Sequence, residues 1–382
     1  MKKKLAIIYA SAYQIPMVNK AKEMGIETHC FAWDKGHSSV CKGIADYYYP
    51  ISVFDKEEIL EVCKDVNIDG ITSVSDPYVA PTIAFVAENM GLIGNHYEDM
   101  VIANNKYTAR QALLKNGVNS PRFAVIEKGQ ETNLTDFKYP LIVKPTDRGG
   151  SAGVMKVNTE KELLEAIQYS QQLSFIGQII VEEFISGSEL SAHTISSNGK
   201  HYILAVRDKE TSGAPNFVEI AHHTPSQHSP EIISKLEIEV QKSLDALNYK
   251  NGACDAEFMI TEEGEVYAIE INTCWGGDKD YDMIYYSYGL DYLKMVIELA
   301  LGQFEEPVIS HALFHTGVFF LSKETEWVKK VIENKDNDPE IVETEISRNE
   351  LFKLQSSADR SGYFIYKSNR KKTREDYLNI PQ

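Results

Sequence analysis

Residues 252–272 read GACDAEFMITEEGEVYAIEIN, and this stretch folds on paper into two strands. Apolar-alternating runs at 253–260 and 266–271 flank Glu263-Gly264, and such runs around a glycine-containing turn signal a β-hairpin. With a two-residue loop, Glu262 pairs with Glu265, so that Glu257 faces Glu270 and Asp255 faces Asn272. Strand side chains alternate faces, so these four point the same way. A three-residue loop would break that pairing. Directly opposed side chains lie roughly 4.5–5.5 Å apart at Cβ, where like charges destabilise. A divalent cation resolves the repulsion, because Mg2+ takes hard oxygen ligands from one or two carboxylates and completes its shell with water and substrate phosphates. The alternative is acidic decoration of a solvent-facing hairpin. Against it, Phe258, Ile260, Tyr267, Ile269 and Ile271 mark the other face as buried.

Outward from the hairpin, the chain has the composition of a globular protein: 382 residues, 43% hydrophobic and 25% charged. At ~150 residues per domain, two or three domains are expected. The net charge of −17 argues against a general electrostatic grip on nucleic acid or an anionic membrane. A bound polyanion must be held by a local cluster of lysine, arginine and metal. Cys30, Cys41, Cys63, Cys254 and Cys274 are odd in number and lack C-x-x-C spacing, which disfavours a disulfide framework or a structural zinc and fits a reducing cytoplasm. The opening MKKKLAIIYASAY mimics a signal peptide, but its apolar run at 5–10 is shorter than the ~7–15 residues such signals need. It reads as a first strand. No run of about 18 apolar residues, the length of a membrane span, occurs.

Strands expected at 5–10, 27–33 (closed by Asp34), 46–51 and 70–74 alternate with helices at 15–25, 56–65 and 79–90, a βαβ order that implies a small parallel sheet. Ala10-Ser11-Ala12-Tyr13 stands where a G-x-G-x-x-G fingerprint would be, which argues against NAD binding. Asp76 follows a strand, where α/β sheets place ligands, or else caps a helix before Pro77. A helix at 105–116, strands at 122–126 and 141–144, the loop DRGGSAG at 147–153, a strand to Val157, a helix at 160–171 and a strand at 179–184 follow. Glycines let loop N–H groups approach phosphates, although this is not a Walker A loop. Lys144, inside the apolar PLIVKP, is either paired or at a sheet edge. Segment 219–228 carries three of the ten histidines before a helix at 230–247; it either meets substrate or is a polar loop. Residues 275–288, starting at Trp275, lead into a helix at 282–301 and are expected to line an acceptor pocket. Farther on come strands at 315–321 and 361–368, a helix near 324–334, an acidic linker and a basic solvated tail.

The order Asn105-Lys106, Ala109-Arg110, PLIVKP (140–145), DRGGSAG, VEEFISGSE (181–189), Glu257-Phe258 and Glu270-Ile271-Asn272 resembles the ATP-grasp superfamily. It extends from Leu5 to about residue 302, with an amino-terminal part similar to those of carbamoyl-phosphate synthetase, biotin carboxylase and the purine-pathway carboxylate-amine ligases. The resemblance implies an α/β (α+β) ATP-grasp fold: an amino-terminal parallel α/β domain at 1–103, an ATP-grasp domain at 104–310 with a lid at about 121–183, and a small carboxy-terminal subdomain at 311–382. It sets Lys106 and Lys144 on the ATP phosphates, where a lysine acts as a point charge. Arg148, Gly149, Gly150, Ser151 and Gly153 match the mobile flap. Glu182, Glu183 and Ile185 match the adenine hinge, and Glu189 the ribose acceptor. Glu257, Glu270 and Asn272 match the Mg2+ ligands, with Mn2+ as an alternative ion, and Asp255 stands behind them.

The implied reaction is ADP-forming ligation through an acyl phosphate, joining a small carboxylate, favoured as an amino acid or small peptide, to an amine or thiol. Lys144 would be catalytic, and Arg207 in HYILAVRDK would stabilise the acyl phosphate or tetrahedral intermediate, unless it is a surface strand arginine. Relatives often carry an arginine after Glu-x-Asn, whereas Cys274-Trp275-Gly276-Gly277 stands here. A bicarbonate-activating carboxylase is the alternative within catalysis; its biotin would come on another protein, since Met155-Lys156 falls in the flap strand. A non-catalytic nucleotide-binding regulator is the alternative outside it. No nucleic-acid or membrane partner is expected, and a homodimer is the expected assembly.

Overall fold

A computed structural model describes residues 2–33, 36–130, 134–274 and 276–378; Asp34 and Trp275, both singled out above, lie outside the described residues. Four strands, β1 (Lys4–Ile8), β2 (Glu27–Phe31), β3 (Tyr47–Tyr49) and β4 (Gly70–Thr72), form a parallel sheet in the order β3-β2-β1-β4. Leu5 and Ile7 enter one hydrophobic cluster, and Ala6 and Ile8 another on the opposite face. A strand covered on both sides must be apolar at successive positions rather than at alternate ones, and after Lys4 the run LAII is.

The second sheet is antiparallel: β5 (Phe123–Ile126), β6 (Leu141–Pro145), β7 (Met155–Val157) and β8 (Ile179–Glu183) lie in the order β5-β8-β6-β7. The helix Glu160–Leu173 covers it through Leu163 and Ala166. The third sheet joins β9 (Ser188–Ser197), β10 (Lys200–Thr211), β11 (Glu219–Thr224), β12 (Gly252–Ile260), β13 (Val266–Asn272), β14 (His315–Leu321), β15 (Ile341–Ile346) and β16 (Gly362–Ser368) in the order β13-β12-β9-β10-β11-β14-β16-β15. Its last three strands come from beyond residue 311, so that segment extends the same sheet that carries the hairpin. The acidic stretch read as a linker contains β15, whose half-exposed alternation at a sheet edge gives a weak sequence signal. The histidine-rich segment 219–228 is largely β11, with His222 and His223 buried inside the sheet.

The helix expected at 282–301 is two helices, Asp280–Tyr288 and Tyr292–Ala300. Gly289 separates them at φ +72°, a left-handed cap that residues with a Cβ resist. The second helix ends directly against β4: a Cβ added to Gly70 would stand 2.4 Å from the Ala300 carbonyl oxygen. Gly70→Ala is therefore expected to destabilise the protein by roughly 1–3 kcal/mol, the cost of forcing packed backbone apart. A lower urea midpoint with an unchanged slope would report it.

Candidate active site

The hairpin reaches its expected pairing by an unexpected route. Glu257 lies opposite Glu270 and Asp255 opposite Asn272, but Ile260 pairs with Val266. The loop thus holds three residues, closed by Thr261 N–H donating to the Glu265 carbonyl at 3.0 Å. The register then shifts between Glu257 and Phe258, skipping Ile269 on β13. This bulge adds the one residue that the longer turn took away. Arg110, from the helix Lys106–Lys115, holds it: its guanidinium donates to the carbonyls of Ala268 at 2.6 Å and Ile269 at 2.8 Å.

Pairing of β12 with β9 and of β9 with β10 sets Glu270, Glu257, Ser191 and Arg207 in one transverse row. Two residues along β10 stands Lys209, fully buried, with Nζ 2.6 Å from Glu189, 3.1 Å from Glu257 and 3.3 Å from Glu219. Lys209 belongs to no sequence motif, although its i, i+2 spacing from Arg207 in an alternating strand puts both on one face. Burial pushes the Glu257 carboxyl up to about 8, with Asp255, Glu189 and Glu270 adding to the shift against Lys209. For Glu270 burial also works upward, but Lys106, Lys144 and Lys209 outweigh it and hold its carboxyl below the ordinary range.

Lys106 opens its helix immediately after Asn105, whose side chain caps the helix by accepting from the N–H groups of Tyr107 and Thr108. Its Nζ lies 2.9 Å from Glu270 and donates to the Arg148 carbonyl at 2.5 Å, tying the hairpin to the glycine-rich loop. Lys144 is 5% exposed and pairs at 2.6 Å with Glu182, which also takes Arg110 at 2.6 Å. Burial favours a neutral Glu182, yet the two cations overcome it and hold its carboxyl below the ordinary value. Lys144 is thus the paired lysine of the two readings its sequence allowed.

One cleft of about 910 Å3 is lined by Lys106, Lys144, Arg148, Gly149, Gly150, Ser151, Glu182, Glu183, Ile185, Glu189, Arg207, Glu257, Glu270 and Asn272. Gly153 is not among its lining residues and packs on Pro145 instead, where an added Cβ would meet the ring at 2.9 Å. Apolar Ile142, Val154 and Met259 share the cleft, so it offers both a dry surface for a ring and a charged floor for a polyanion.

Arg207 is 2% exposed; its guanidinium pairs with Asp280, with Asp255 at 3.1 Å, and donates to Ser191 Oγ at 2.5 Å. His193 stands beside the same two carboxylates, and the ligand atoms of His193, Asp255 and Asp280 all lie within 4.8 Å of one another. Burial drives the His193 ring down to about 3 and the Asp280 carboxyl up to about 6. Arg207 supplies a compensating cation there, as Lys209 does for Glu257 and Lys106 for Glu270. Arg360, from the carboxy-terminal stretch, joins the floor through Asp278 at 2.6 Å and Glu219 at 3.1 Å, and Asp278 also meets His222 at 3.0 Å. Among the described residues the five cysteines are free and buried, and no helix is long and apolar enough to cross a membrane.

Residues 137–281 match the family model of the ATP-grasp domain. The alanine–anticapsin ligase of Bacillus subtilis is 26% identical over 299 residues, covering 68% of this chain and 62% of that protein. The chain therefore spans less than two thirds of the length of that relative. A D-alanine–D-alanine ligase of Clostridium beijerinckii is 24% identical over 243 residues, covering 60% of this chain and 78% of that one. Among solved structures, the L-amino acid ligase from Bacillus licheniformis superposes with a TM-score of 0.79 at 22% identity, over 98% of this chain and 95% of that one. The matched segment carries Lys144, the glycine-rich loop and the hairpin, and the fold of that ligase extends over nearly the whole chain, so residues 137–281 are similar to an ATP-grasp domain within a chain of the same fold.

Proposed function

We propose that the protein is an ADP-forming ligase that activates a small carboxylate with ATP and joins it to an amine, with an amino acid as one substrate. The observation that carries this reading is the convergence, in one cleft, of two lysines from separate elements with Glu257, Glu270 and Asn272. Phosphoryl transfer asks a protein mainly for position and charge neutralisation, and this arrangement supplies both. The carboxylate oxygen attacks the γ-phosphorus and ADP leaves. The amine nitrogen then attacks the acyl carbon, loses a proton, and phosphate departs.

Lys106 and Lys144 would balance the phosphate charge, Glu183 and Ile185 would meet adenine through their backbone, and Glu189 would accept from the ribose hydroxyls. Glu257, Glu270 and Asn272 fit Mg2+, or Mn2+, as an all-oxygen donor set, and the upward push on Glu257, from burial first and then from Asp255, Glu189 and Glu270, is one that a bound cation would oppose. Such an ion would supply neutralisation of the charge that develops on the transferring phosphate. Arg207, shared between Asp255 and Asp280, would hold the acidic face in place from behind.

The test is release of ADP and phosphate from Mg-ATP across amino acids, small carboxylates and bicarbonate, with and without hydroxylamine. Carboxylate-dependent ADP release with hydroxamate formation is the expected result. ATP binding with no stimulation by any carboxylate would sink the ligase reading in favour of a nucleotide-binding regulator.

A further inference from the structure

Each of the four parallel strands is followed by one aromatic residue: Tyr9 after β1, Trp33 after β2, Phe54 after β3 and Tyr78 after β4. Their rings meet edge to face or tilted, with centroids 6.1 Å apart for Tyr9–Trp33, 5.7 Å for Tyr9–Tyr78, 5.6 Å for Trp33–Phe54 and 6.0 Å for Phe54–Tyr78. Phe175, beyond the helix that covers the second sheet, closes on Phe54 at 6.4 Å and carries the Arg148 guanidinium 4.4 Å from its ring centroid. All five rings line the cleft that holds the lysines and carboxylates. Phe54 and Phe175 remain 50% and 61% exposed and present apolar surface to the cleft, while Tyr9, Trp33 and Tyr78 pack against the core of the parallel sheet behind them.

Asp76 lines the same cleft. It stands at the cap position of the turn Pro77–Val79 but makes no capping hydrogen bond, and one of its carboxylate oxygens is buried without a partner among the described residues. Tyr9 and Ser75, at the same strand ends, adopt left-handed backbone at φ +69° and +63°, conformations that a residue with a Cβ pays to keep and that gather at ligand sites. The ends of parallel strands are where such sheets bind ligands.

We propose that this rim is the subsite for an amino-acid substrate with a large apolar side chain: the aromatic wall takes the side chain and Asp76 takes the ammonium group. This rests on the ligase reading for its place in the reaction, but binding tests it separately. Aromatic surface next to a carboxylate with one unpartnered oxygen suits a ligand that is apolar at one end and cationic at the other.

Calorimetry in the presence of Mg-ADP, on the full chain, would compare L-phenylalanine, L-alanine and 3-phenylpropionate, which lacks the amine. L-Phenylalanine is expected to bind at least about tenfold more tightly than L-alanine, the scale of one apolar pocket contact. Phe54→Ala, at a half-exposed position, should remove that preference and leave Mg-ADP affinity unchanged. Asp76→Asn should bring L-phenylalanine down to the level of 3-phenylpropionate. Equal affinity for phenylalanine and alanine in the unsubstituted chain, or loss of Mg-ADP binding in Phe54→Ala, overturns the subsite. Phe54-dependent phenylalanine binding without ADP release from Mg-ATP would uphold it and count against the ligase reading instead.

Discussion

Glu270→Gln should lower kcat by on the order of 10²- to 10³-fold or more, the usual loss when one preorganised charge contact on a reacting group is removed. Glu270 faces Glu257 across the hairpin and takes Lys106 at 2.9 Å, so the substitution removes one proposed metal ligand and releases the lysine proposed to meet phosphate in one step. The fold should survive. Glutamine keeps the side chain's shape, and Lys106 retains the Arg148 carbonyl. ADP release at saturating Mg-ATP and substrate, alongside an unchanged circular dichroism spectrum and melting curve, is the measurement. Undiminished turnover would remove Glu270 from the metal group.

Glu182→Ala should destabilise the protein by about 3–5 kcal/mol, as removal of one member of a buried ion pair leaves its partners uncompensated. Glu182 is 2% exposed and holds two cations, Arg110 and Lys144, themselves 4% and 5% exposed. The effect should exceed that of Gly70→Ala, where only packing is disturbed. It should also loosen the hairpin bulge, since the same Arg110 guanidinium carries the Ala268 and Ile269 carbonyls. Because the folded protein holds the Glu182 carboxyl below its ordinary 4.5, this contribution is fully present above that value. It is lost as the pH falls through the lower folded one. Urea unfolding at pH 7 and again near pH 4 would therefore find a smaller gap between Glu182→Ala and the parent at the acid end. A gap of less than about 1 kcal/mol at pH 7 would assign the triad to the level of an exposed pair.

The hairpin illustrates how far local pattern carries. Two-residue alternation and a glycine turn brought Glu257 opposite Glu270 in the sequence, and the structure agrees. The route there differs: a three-residue loop by itself destroys the pairing, but the Ile269 bulge restores it. The bulge has no local mark. Its stabilising arginine stands 158 residues earlier in the chain, so only folding brings the two together. The 282–301 helix failed for a different reason, because Gly289 inside an apolar pattern can be tolerated or can end a helix, and packing against β4 decides.

From sequence alone came the order of parallel strands and helices, the buried face of the hairpin, the pairing of its four polar residues and the resemblance that assigned the lysines. All of these rest on periodicity or on motifs a few residues long, which a linear chain displays directly. Only the tertiary structure decided the charge state of the site. Arg207 meets Asp280 across 73 residues and Lys144 meets Glu182 through neighbouring strands, while Lys209 gathers three carboxylates from three different strands. Whether a buried charge is free for substrate or already neutralised depends on its distance to the other charges in space, and sequence separation carries no information about that distance.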